Sequence, residues 1–95
     1  MRVDELEKGS ELEQVLWACY EYWQHETSPP HERIICYSWV VSIYEDRFGT
    51  TFHHSKLRNL AKLGLLKEDS TSRGGRRRYY KIVEPEHVAY LLGDN

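Results

Sequence analysis

Apolar positions along this chain change their spacing several times, and each change marks a new element. Ser10-Glu11-Leu12-Glu13 has the S-x-x-E form of a capping box, with Ser10 as N-cap and Glu13 three residues on. Leu12, Leu16, Cys19 and Trp23 then recur at i, i+4, i+7 and i+11, one face of a helix over about 10–25. Val15 and Tyr22 widen that face, whereas Trp17 and Tyr20 fall off it. Thr27-Ser28-Pro29-Pro30 ends the helix, because a proline pushes the residue before it out of helical geometry. The stretch 33–37 is rich in β-branched and aromatic residues and predicts a short strand; a helix running on from Ser28 is the competing reading.

From Ser38 the period is helical again. Val40, Ile43, Tyr44 and Phe48 share a side, Glu45, Asp46 and Arg47 face water, and Gly49 stops the helix where a left-handed residue is needed. Thr50 and Thr51 are both suitable N-caps for a third helix, roughly 52–63, whose inward face is Leu57, Leu60 and Gly64 with Ala61 beside them. Residues 65–69 read as a strand, 70–75 as a turn, and 76–83 as a return strand with Arg78, Tyr80 and Ile82 on one face. Pro85 opens a short last helix carrying Val88, Ala89, Leu91 and Leu92. The order predicts one α+β domain over 1–95. It is a winged helix-turn-helix arrangement, with a three-helix core, a basic β-hairpin wing and a short C-terminal helix.

Charge changes this picture from architecture to chemistry. The 95 residues carry a formal net charge of −2, which alone points to no polyanionic partner. Along the chain, however, residues 1–46 hold ten acids and three bases, residues 47–83 ten bases and two acids, and residues 84–95 three acids and no base. Near-neutrality therefore hides a basic centre over the third helix and the hairpin, a distribution associated with nucleic-acid binding. Apolar residues at 40% support a globular core.

A family comes into view on three stretches. Tyr37-Ser38-Trp39-Val40-Val41-Ser42-Ile43-Tyr44-Glu45-Asp46-Arg47-Phe48-Gly49 resembles the first helix of a winged helix-turn-helix motif. Leu57-Arg58-Asn59-Leu60-Ala61-Lys62-Leu63-Gly64-Leu65-Leu66 is similar to the end of its recognition helix and the start of its wing. Gly74-Gly75-Arg76-Arg77-Arg78-Tyr79-Tyr80-Lys81-Ile82 resembles the return strand of PadR-like transcriptional regulators. The resemblance spans roughly 37–83. It departs from the family pattern at His54, which stands where a tyrosine is usual, in an unusually acidic and aromatic first helix, and in lacking the long C-terminal dimerisation helix. It implies a DNA-binding regulator, usually dimeric, whose third helix enters the major groove.

The residues lead to the same partner without it. Duplex DNA needs cations that displace condensed counterions, and Lys56, Arg58 and Lys62 on the third helix suit phosphates. His53, Ser55 and Asn59 can hydrogen-bond base edges, with Asn59 favoured because asparagine pairs well with adenine. Thr50 and Thr51 are expected at the helix N-terminus, where hydroxyls and free N–H groups hold a phosphate. Arg73, Arg76, Arg77 and Arg78 arm the hairpin, over about 67–81, for the flanking backbone or a narrow minor groove. Arg78 is also placed to lie along the core edge above Tyr80, its stem packed, and the blander reading of the helix cations is a merely solvated face. Trp17 and Tyr20, off the core stripe, join Tyr90 as an expected homodimer interface. Packing of Trp17 against the terminal segments is the alternative.

Other classes find little support. No nucleophile–base pairing, phosphate-cradling glycine loop or zinc-ligand spacing is visible, so neither an enzyme nor a metal or other cofactor is expected; adjacent helical residues such as His53 and His54 would point about 100° apart. Cys19 and Cys36 lack CxxC spacing and read as small buried hydrophobes in a reducing compartment. No apolar run approaches the roughly 20 residues of a membrane span, and the acidic start resembles no secretory signal, so a cytoplasmic protein is expected. The rival function is a winged-helix protein–protein module whose basic face meets an acidic protein, with RNA binding or a role in replication or plasmid and virus maintenance as a third option. Any small-molecule effector is left open.

Overall fold

Ser10 begins the first helix as its spacing predicts. The computed structural model describes residues 6–69 and 78–93. Helix α1 spans Glu11–His25, the Ser10 hydroxyl accepts the Glu13 N–H at 3.2 Å, and the Glu13 carboxylate accepts the Gly9 N–H at 2.6 Å. The carboxylate thus answers one residue earlier than in the usual capping box. Val15, Leu16, Ala18 and Cys19 are buried on α1, which packs against every other helix and against the first strand.

After a single 3₁₀ turn at Pro30–Glu32 comes β1, Ile35–Cys36, shorter than the stretch 33–37. Helix α2 follows directly at Tyr37–Phe48 and ends at Gly49 with φ 73°. Helix α3 is Ser55–Lys62, strands β2 and β3 are Leu66–Asp69 and Tyr79–Ile82, and α4 is Pro85–Leu91. Among the described residues this makes an α+β fold with a three-stranded antiparallel sheet of order β1-β3-β2. Strand β3 is central: Tyr80 lies opposite Ile35 on one side and Glu68 on the other. Tyr80 and Ile82 turn inward, so one sheet face closes over the helices.

The third helix is where expectation and structure part. It starts at Ser55, not 52, and neither Thr50 nor Thr51 caps it; both are exposed in the preceding turn. Phe52 explains the shift. Its ring is buried, edge-on to Tyr37 at 5.2 Å and to Tyr44 at 4.9 Å, and its carbonyl accepts the Tyr37 hydroxyl at 2.6 Å. A carbonyl and a ring both committed to α2 hold this residue out of the helix. The first turn is served instead by His53, whose Nδ1 accepts the Ser55 N–H at 3.2 Å. At the other end, Gly64 at φ 84° permits paired bonds from Leu65 N–H to the Leu60 carbonyl and from Gly64 N–H to Ala61, a Schellman stop.

The core contains no buried charged side chain among the described residues, and every buried side-chain N or O there has a partner. Tyr44 reaches across to α1, donating to Gln14 Oε1 at 3.0 Å. Cys19 and Cys36 are buried free thiols. Burial pushes the Cys19 thiol and the Tyr44, Tyr22 and Tyr80 hydroxyls above their ordinary values of 9.0 and 10.0. Above those values the unfolded chain releases protons that the folded chain retains, so the contribution of these groups to stability is expected to be constant between about pH 7 and 9 and to be lost as pH rises beyond it. Urea midpoints at pH 7, 9 and 10.5 check this; an unchanged midpoint at pH 10.5 contradicts it.

Candidate nucleic-acid interface

With Leu57 and Leu60 buried, the rest of α3 is forced outward by the 3.6-residue period. Arg58, Asn59 and Lys62 are exposed and share that outward side with the half-buried Ser55. Arg58 and Lys62 stand four residues apart, one turn along the surface. Neither forms an ion pair among the described residues. No acidic residue interrupts α3 itself. The helix therefore presents two cations around an amide able to donate and accept.

The other expected site residues divide. Lys56 turns to the flank, where its Nζ lies 3.5 Å from Glu11 of α1. The acidic helix thus does not stand wholly apart from the basic one: its first turn neutralises one flanking cation. His53 is exposed but engaged with Ser55, through the backbone bond and a 3.0 Å contact to the hydroxyl. The His53 and His54 rings lie only 4.2 Å apart at 31°, against the divergence expected of helical neighbours, because both precede α3. Among the described residues no three His, Cys, Asp or Glu side chains gather as a metal site, and no helix is long and apolar enough to cross a membrane.

Of the hairpin arginines, Arg73, Arg76 and Arg77 lie outside the described residues. Arg78 is exposed beside β3, and its guanidinium donates to Glu68 Oε2 at 3.0 Å. The register places Glu68 opposite Tyr80, on the cleft side of the hairpin. Arg58 comes in from α3 on the same side. Burial first, then the Glu68 charge, raises the Tyr80 hydroxyl, while Arg78 and Arg58 oppose them. Tyr80, Arg58 and Arg78 border a cleft of 390 Å³ between the start of α2, α3 and β3, with Ser38, His54, Arg58 and Arg78 exposed at its rim and Leu57 and Tyr80 buried in it. The cleft was not legible in the sequence, since Ser38 and Tyr37 stand far from 58 and 78 along the chain. Lys67, opposite Lys81 on the other hairpin face, is a further exposed cation that pattern reasoning passed over.

The expected interface aromatics are half satisfied within one chain. Trp17 packs edge-on against Phe48 at 5.8 Å with the Arg47 guanidinium 5.1 Å from its ring, and Tyr20 stacks on Trp23 at 5.8 Å. Tyr90 on α4 is 67% exposed and borders a groove with Trp23, Pro30, Val83 and Pro85. Comparison with protein-family models, with curated proteins and with solved structures finds no match to this chain.

Proposed function

We propose that this chain is a winged-helix protein that binds double-stranded DNA sequence-specifically and acts as a transcriptional regulator. The observation carrying the reading is the outward side of α3, where Arg58 and Lys62, without ion pairs among the described residues, flank Asn59. A helix of this diameter fits the major groove, the cations neutralise phosphates on its walls, and the amide reads a base edge. Arg73, Arg76, Arg77 and Arg78 then grip the adjoining backbone or minor groove as a wing, and Thr50 and Thr51 approach phosphates from the turn before α3. A homodimer on a two-fold-symmetric site, joined through Trp17, Tyr20 and Tyr90, completes the arrangement.

Selection of bound sequences from a random duplex pool tests the reading, followed by a salt titration of the best site. Binding should weaken with a log–log slope of about −0.9 per phosphate contacted. Asn59→Ala is expected to relax preference at one base pair, costing about 1–3 kcal/mol on the preferred site and little on others. Equal losses on all sequences would remove Asn59 from base readout.

A second reading has its own support. Lys56 and Arg78 already carry carboxylate partners, Glu11 and Glu68, as a face built for acidic protein surfaces would. Absence of duplex binding at low salt favours that adaptor function. On the DNA reading Glu68 acts as an internal competitor for Arg78. Glu68→Gln is then expected to tighten duplex binding about threefold at low salt, given the modest strength of exposed pairs, and to steepen the salt slope by less than one full phosphate contact. Weaker binding would show that Glu68 positions Arg78 instead.

A further inference from the structure

The turn from β3 into α4 borders a second recess, which shares no lining residue with the cleft beside α3. Val88 is buried on α4, so Glu86 and Tyr90, four residues apart, turn outward on one side. Val83 follows the inward-facing Ile82 and is exposed, its N–H tied to the Leu65 carbonyl at 3.1 Å. Val83 at 48% and Tyr90 at 67% are the exposed large apolar side chains among the described residues, and both border one groove of 900 Å³. Exposed apolar residues scattered singly need no explanation, whereas their convergence on a groove marks a contact surface. Trp23, Pro30 and Pro85 complete its apolar walls. Trp23 is held in place, stacked on Tyr20 at 5.8 Å with the Arg33 guanidinium 4.6 Å from its ring.

Charge decides what fills this groove. Glu84 and Glu86 line it, exposed and without ion pairs among the described residues, and no lysine or arginine is among its lining residues. A DNA phosphate is repelled there. A second copy seated on the same patch across a two-fold axis sets Glu84 and Glu86 of both copies in one interface, like charge against like. We propose that the groove binds an extended, proline-rich segment of another protein that carries an arginine, its proline rings against Tyr90 and Trp23 and its guanidinium on Glu84 and Glu86. Proline-rich chain docks on aromatic-lined grooves because its conformation is set before it binds. A guanidinium matches a carboxylate with two parallel N–H bonds. Binding stands on the groove alone. One consequence rests on the homodimer proposed through Tyr90: segment and second copy compete for that ring, so the partner dissociates the dimer.

The experiment is an NMR titration of the full chain with the peptide acetyl-RPLPPLP-amide, its charge-reversed form acetyl-EPLPPLP-amide and the proline-free acetyl-RGSGGSG-amide. Expected is saturable binding of the first, with shifts at Val83, Tyr90 and the Trp23 indole. The charge-reversed form should bind about tenfold more weakly, as for the loss of exposed ion pairs and their replacement by repulsion. The proline-free form should not saturate in the same range. Tyr90→Ala should weaken the first peptide about tenfold, as removal of an aromatic anchor does. Tyr90 is exposed, so this variant keeps the fold, and its spectrum verifies that. Glu84→Gln with Glu86→Gln should abolish the preference for the arginine form while leaving the proline contacts. No saturable binding, equal binding of the two charge forms, or shifts centred on Leu57 and Arg58 would each overturn the proposal. So would shifts at Tyr90 and Val83 that grow with protein concentration and that the peptide does not reverse, because the second copy then holds the groove. Light scattering separates the competition from the binding. Peptide that dissociates a dimer supports both, and peptide bound by a chain that is monomeric throughout keeps the groove and refutes the competition.

Discussion

Replacing Arg58 and Lys62 together with alanine is expected to weaken binding to every duplex and to flatten its salt dependence. If each side chain neutralises one phosphate, the log–log slope falls by about 1.8. Because that ion-release contribution vanishes near 1 M salt, the same slope predicts a loss of roughly 60-fold at about 0.1 M. Sequence preference should survive, since neither cation is assigned a base. Both side chains are exposed and unpaired among the described residues, so stability should stay within about 0.5 kcal/mol of the parent. Fluorescence anisotropy on a specific and a scrambled duplex at four salt concentrations measures all three quantities. An unchanged slope would remove the outward side of α3 from the interface, leaving any DNA contact to the hairpin.

Leu60→Ala is expected to produce the opposite pattern: large loss of stability, little change in the chemistry of the interface. Leu60 is fully buried, and with Leu57 it provides the buried anchorage of α3. An eight-residue helix does not persist alone in water, so its existence depends on that packing. Deleting the side chain removes transfer free energy and leaves a cavity, together about 2–5 kcal/mol. For a domain whose total stability is on the order of 5–15 kcal/mol, this is a substantial fraction. Urea denaturation should show a lower midpoint with an unchanged m-value. Duplex binding, measured where the variant is still folded, should retain the parental salt slope. A midpoint within error of the parent would mean that α3 is not held as described.

The two predictions depend on different levels of information. That Leu57 and Leu60 point inward and Arg58, Asn59 and Lys62 outward follows from the helical period, and α3 keeps that division although it begins three residues late. The late start had no local signal. Thr50 and Thr51 carry the chemistry of N-caps, and only the engagement of Phe52 by Tyr37 and Tyr44 moves the helix start to Ser55, with His54 in the cap position. Likewise α1 was readable because Ser10 and Glu13 act within one turn, whereas Ala18, which belongs to no stated stripe, is fully buried by what packs on it.

What the chain determined by itself is therefore its segmentation: helices from Ser10, Gly49 and Pro85 signals, two antiparallel strands from alternation on either side of 70–77, and a basic centre between acidic ends. These are short-range properties, set by backbone preference and by which side of an element is apolar. Tertiary structure alone decided that β1 pairs with β3, that Lys56 meets Glu11 and Arg78 meets Glu68, and that Ser38, Arg58 and Tyr80 border one cleft. Such pairings join residues from separate elements, and periodicity along a chain encodes which face is buried, not which face it is buried against.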